Sequence, residues 1–220
     1  MIQSLVKSLI LGLALLVGCT AWADPVLEHY NVVNWSFEDP IRSDNQWSTY
    51  VPGWNVVKGN AGVFNPPISA LPSGPTHGQN ILWMGSNATV AQTLSTIVSP
   101  YYDYTLKVDV GQRADNPPIR YAIQLWAGST LVAEDNDTLN PASGGFLTST
   151  LTFSTGASSP LFGNAFEIRF LNLSTTGQVI FDNVRFMGSD PTPAHAPEPA
   201  TLALFGSGLL AASLKKRFKK

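Results

Sequence analysis

The residues with the most chemical potential in this chain are one carboxylate and a set of indole rings. In Ile180-Phe181-Asp182-Asn183-Val184-Arg185-Phe186, Asp182 shares the phase of Ile180, Val184 and Phe186. That phase aims it at a core, where an ionised carboxylate is costly unless it is paired, hydrogen-bonded or metal-bound. Arg185 lies on the opposite phase and is not its obvious partner. Near the other end, Asn34-Trp35-Ser36-Phe37-Glu38-Asp39 runs from an apolar stretch into a polar loop and offers Glu38 as a second acid. Flat aromatic faces stack on apolar sugar surfaces when amides and acids stand beside them for the hydroxyls. Trp126, on the outward phase next to Gln124, is the best-placed candidate, with Trp83 and Trp47 as others. Trp54 and Tyr121 are expected in the core, because large aromatic rings are highly buried on average.

Catalytic signatures are missing. The chain has no Gly-x-Ser-x-Gly elbow, no His-Glu-x-x-His and no phosphate loop. His29, His77 and His195 are scattered, and the single Cys excludes a disulfide framework or a Cys-cluster metal site. Outward acids such as Glu167 and Asp109 form pairs by chance in so acidic a domain, and Asp135-Asn136-Asp137 lacks the Gly and distal Glu of a calcium loop. The residues therefore predict a non-catalytic protein, with a polysaccharide hydrolase or lyase as a minor alternative.

The elements that must hold these residues alternate with period two. Tyr102, Tyr104, Leu106, Val108 and Val110 fall on one face, and Asp103, Thr105, Lys107 and Asp109 on the other, as in a half-buried strand. Tyr121, Ile123 and Leu125 form a second inward set, Leu147, Leu151 and Phe153 a third, and Phe166, Ile168 and Phe170 a fourth. Further strands are predicted over 32–37, 51–57, 81–84, 90–94, 130–134 and 179–186. Turn residues such as Ala127-Gly128-Ser129 and Asn140-Pro141-Ala142-Ser143-Gly144-Gly145 separate them. About ten short strands in roughly 165 residues, without an amphipathic helix, give an all-β, antiparallel jelly-roll sandwich over residues 24–189.

The two ends are addresses. Lys7, the apolar run Leu9 to Val17 and Ala21-Trp22-Ala23 make residues 1–23 a signal peptide, although Leu16-Val17-Gly18-Cys19 also fits a lipobox with Cys19 acylated. Residues 190–197 are a Pro-rich spacer. Pro197-Glu198-Pro199, the apolar segment 201–214 (a short hydrophobic helix) and the basic tail 215–220 follow in strict order. This order resembles the PEP-CTERM sorting signal of Gram-negative bacteria. The resemblance implies processing by an exosortase, transient anchoring in the inner membrane, and delivery to the cell surface or an exopolysaccharide matrix. Without these ends the domain holds 7 Lys and Arg against 14 Asp and Glu, a net charge of about −7. Such a surface disfavours nucleic acid and is compatible with calcium.

Asn34-Trp35-Ser36-Phe37-Glu38 and Phe181-Asp182-Asn183-Val184 also resemble the ends of galactose-binding-like sandwich domains, carbohydrate-binding modules among them. Val51-Pro52-Gly53-Trp54 and Val90-Ala91-Gln92-Thr93-Leu94 look like internal blocks of the same family. The resemblance implies carbohydrate binding and a structural calcium with Glu38 and Asp182 as ligands. The alternative at that place is that Asp182 and Asn183 hydrogen-bond the opening loop. For the whole protein, the expected function is binding of carbohydrate or exopolysaccharide. The alternative is a structural surface or biofilm protein acting through protein–protein contacts.

Overall fold

Tyr104, Leu106, Val108 and Val110 turn into one core, and the same alternation recurs in Phe166, Ile168 and Phe170 and in Tyr121, Ile123 and Leu125. Ten antiparallel strands carry this pattern in a computed structural model that describes residues 32–117 and 119–189. They are β1 (Asn55–Lys58), β2 (Ala61–Phe64), β3 (Ile81–Met84), β4 (Thr89–Ile97), β5 (Asp103–Gln112), β6 (Tyr121–Ala127), β7 (Thr130–Asn136), β8 (Gly145–Ser154), β9 (Ala165–Asn172) and β10 (Val179–Ser189). One sheet has the order β1-β4-β9-β6-β7, the other β2-β3-β10-β5-β8. Their inner faces enclose the main core, where the Phe170 and Phe181 rings stack at 4.6 Å. The signal peptide, the spacer and the sorting segment lie outside the described residues. No helix among the described residues is long and apolar enough to cross a membrane.

Four departures from the sequence reading occur along the chain. Residues 32–37 form turns rather than a strand, because Asn34 and Phe37 adopt left-handed backbone at φ 50° and 58°. Asn34 suits that geometry: its side chain accepts from Asp39 N and donates to Asp39 O and Pro52 O. Strand β1 starts only at Asn55, after a turn at Pro52–Gly53. Strand β2, which has no alternation to reveal it, is buried on both faces. Leu147, expected inward, is exposed on β8.

The burial of β2 exposes a second layer. Phe64, Leu71, Ile81 and Ile180 form a separate apolar cluster on the outer face of the β2-β3-β10-β5-β8 sheet. The strap of residues 65–80 crosses this face and contributes Leu71. One row across the outer face runs Gly62, Trp83, Ile180, Gly111, Phe146; a parallel row holds Phe64 beside Ile81, and Asp182, Asp109 and Thr148. Gly111 is needed there, since a Cβ would meet Phe146 at 2.5 Å and Ile180 at 2.8 Å.

Candidate functional site

Asp182 sits on this outer face, under the strap. The sequence phase grouped it with Val184 and Phe186, but a register shift between Asp182 and Arg185 breaks that phase. Asn183 absorbs the extra residue at φ 51°. As a result Val179, Phe181, Val184 and Phe186 face the main core while Ile180 and Asp182 face the strap. Asp182 is fully buried nonetheless. It accepts from Thr76 Oγ1 at 3.0 Å, from the His77 amide at 2.8 Å and from the Asn183 amide at 2.7 Å. Burial pushes its carboxyl up to about 7, and these three donors only partly offset that. Its cross-strand neighbour Asp109 takes the cation, accepting from Arg185 Nη2 at 2.9 Å, and also takes Asn183 Nδ2 and Thr148 Oγ1.

Glu38 grips the same strap three residues further on. Its Oε1 accepts from the Gln79 and Asn80 amides at 2.9 and 2.7 Å. Gly78 leaves room for it at φ +65°, where a Cβ would lie 2.4 Å from the carboxyl carbon. Glu38 and Asp182 are thus brought to one strap, each through loop amides, and the side chains of Asp182 and Asn183 bond the strap and β5 rather than the opening loop that the hydrogen-bonding alternative named. Among the described residues no three His, Cys, Asp or Glu side chains come together as a metal-ligand group. The side-chain oxygen of Asn80, fully buried, has no hydrogen-bond partner.

The indole candidates divide between the two sheets. Trp47 and Trp83 meet edge to face at 5.8 Å on the outer face beside the strap. With Asn45, Phe64, Arg113 and Gln178 they line a cleft of about 500 Å³. Trp83 is fixed by donating to Ser48 O at 3.2 Å, whereas Trp47 is 61% exposed. Arg113 lies 4.9 Å over the Phe64 ring and donates to Gln178 Oε1 at 2.6 Å. Its other nitrogens grip Asp115, whose carboxyl the guanidinium holds below the usual carboxylate range. The cleft therefore combines two indoles and a phenyl ring with a guanidinium whose charge is already balanced. Phe64, Arg113 and Asn45 escaped the sequence reading. The pairing that sets Phe64 opposite Ile81, and the chain reversal that sets Arg113 beside Gln178, leave no periodic trace. Trp126 stands on the opposite sheet, on the outward face of β6, with Arg169 over its ring at 4.3 Å and Gln124 Oε1 accepting from its Nε1 at 2.9 Å. Trp54 is in the core, stacked on Phe170 at 5.1 Å.

The family described as HpiC1 cyclase (HpiC1-like) matches residues 28–187, nearly all of the sandwich. The chain belongs to this cyclase family. Solved structures agree. A cyclase from Fischerella sp. TAU is 26% identical at a TM-score of 0.68, covering 76% of this chain and 100% of that one. An apo cyclase from Fischerella sp. is 28% identical at 0.66, covering 74% and 96%. The Stig cyclase Fisc from Fischerella sp. TAU, solved with (3Z)-3-(1-methyl-2-pyrrolidinylidene)-3H-indole, is 26% identical at 0.66, covering 72% and 96%. No curated protein matches. The expectation of a non-catalytic module is thereby corrected: this is the sandwich of a cyclase family, and the family that matches is not a carbohydrate-binding one. The PEP-CTERM protein-sorting motif matches residues 195–217, so the chain is an exported substrate of exosortase sorting.

Proposed function

We propose that this exported cyclase-family protein binds a flat, indole-class ligand in the Trp47–Trp83 cleft and promotes its ring closure. The observation that carries the reading is the aromatic cleft on a chain whose family consists of cyclases. Two of the solved relatives hold indole compounds, one of them 4-(1H-indol-3-yl)butan-2-one. Offset and edge-to-face contacts favour an indole between Trp47 and Trp83. Arg113, braced by Asp115 and Gln178, forms a rigid wall that holds the ring in one orientation. Asp182 lies on the same outer face, buried beneath the strap and bonded to Thr76 and His77.

The implied calcium also belongs to this reading. Glu38, Asp182 and the unpartnered Asn80 oxygen are hard oxygen donors directed at one loop, and they are the residues that would hold the ion. Its role would be to fix the strap. Delivery to a surface matrix, with a transient stay in the inner membrane, places the reaction outside the cell.

Titrating 4-(1H-indol-3-yl)butan-2-one into the purified protein, with tryptophan fluorescence as readout, tests the proposal. Saturable quenching is expected, weakened roughly tenfold, or ~1.4 kcal/mol, by Trp47→Ala. Absence of saturable binding, or equal binding by the variant, would overturn it.

A further inference from the structure

The outer face of the β1-β4-β9-β6-β7 sheet carries a second cleft, unrelated to the strap or to the Trp47–Trp83 cleft. It has a volume of about 250 Å³ and is lined by Asn55, Val57, Thr89, Thr93, Glu167 and Arg169, over the small side chain of Ala91. The polar groups beside it are wired together across four strands. Thr93 Oγ1 donates to Glu167 Oε2 at 3.2 Å. Arg169 Nε bonds Glu167 Oε1, and the guanidinium lies over the Trp126 ring at 4.3 Å. Trp126 donates to Gln124, which donates onward to Glu134 at 2.6 Å. Exposed side chains on a sheet usually move independently. Here each fixes the next, so their ordering cost is met before any ligand arrives.

We infer that this cleft is a docking site for a neutral polysaccharide. The chemistry selects the occupant. Glu167 and Arg169 neutralise each other, so the cleft offers acceptors and donors without net charge, and the surrounding domain, at about −7, repels polyanions. Hydroxyls of Thr89 and Thr93, the Asn55 amide and the ion pair match a ring bearing hydroxyls on its rim, and Val57, 58% exposed, gives an apolar lip. The volume lies below the range of roughly 300–1,000 Å³ typical of drug-sized sites and suits single sugar units of an open-ended chain. The site stands on a different sheet from the cyclase cleft, so a polymer could hold the protein while that cleft stays free.

Native-gel retardation tests this with four polymers: xylan, mixed-linkage β-glucan, galactomannan and the polyanion alginate. At least one neutral polymer should slow the wild-type protein, and alginate should not. Asn55→Ala, at an exposed position on an edge strand, should weaken retardation at least threefold, and Arg169→Ala at least tenfold. Near-ultraviolet circular dichroism checks that each variant is folded. Saturating 4-(1H-indol-3-yl)butan-2-one should leave retardation unchanged. No retardation by any neutral polymer, retardation indifferent to both substitutions, or retardation by alginate alone would each overturn the inference.

Discussion

Asp182 is the residue in which burial, charge and strap closure meet. Its folded value, about 7, lies above the ordinary 3.8, so the folded state binds the proton more tightly than the unfolded chain. Stability from this group is complete below pH 4 and is lost as the pH rises through 7, by up to about 1.4 kcal/mol per pH unit. Asp115 works in the opposite sense, since Arg113 depresses its value and its contribution fades in acid. Thermal melts between pH 4 and 8 should therefore fall towards neutrality in the wild-type protein, and Asp182→Asn should flatten that slope. Calcium would favour the ionised carboxylate, so the calcium proposal predicts a larger rise in melting temperature at pH 8 than at pH 5, abolished by EDTA. The sequence made the burial of Asp182 legible through Ile180, Val184 and Phe186, whose phase it shares. It could not show the face, because a bulge at Asn183 is invisible to a strict period of two. Trp47 and Trp83 stood out as candidates by type alone. Their shared cleft depends on the segment carrying Trp47 being laid along β2, with Ser48 N donating to Val63 O at 2.9 Å.

At the scale of elements, the strap and the segment over β2 make the outer face of one sheet into a site. Gly62 permits this. A Cβ there would lie 1.6 Å from the Ser48 carbonyl oxygen, so Gly62→Ala must push away the segment that bears Trp47. Overpacking of this kind costs about 1–3 kcal/mol. The variant should lose several degrees of melting temperature and also lose indole quenching; calorimetry and the fluorescence titration read the two effects separately. Strand β9 was legible because it puts one face on the main core and one towards water, as Phe166, Ile168 and Phe170 against Glu167 and Arg169 show, and the first half of β5 follows the same rule. Strand β2 was not, because the strap hides its second face and Ala61-Gly62-Val63-Phe64 shows no alternation. The opening 32–37 segment misled for the converse reason: its apolar residues are those of a strand, but Asn34 and Phe37 turn left-handed and tie it to Pro52 and β10 instead.

The whole molecule joins an export address to the sandwich of a cyclase family. The PEP-CTERM motif predicts that material at the cell surface has lost residues 215–220. Mass spectrometry of surface fractions should find peptides from the sandwich but none from the Lys215–Lys220 tail, and an intact tail would count against exosortase processing. Fold class and destination could be read from periodicity and from the order of terminal segments, both of which are local. The proposed indole cleft could not, because its lining of Asn45, Trp47, Phe64, Trp83, Arg113 and Gln178 draws on positions more than 130 residues apart and has no fixed spacing. The most direct measurement is a crystal structure of the protein with 4-(1H-indol-3-yl)butan-2-one bound. The account predicts the indole between Trp47 and Trp83, within reach of Gln178. An indole lodged elsewhere, with that cleft left open, would contradict it.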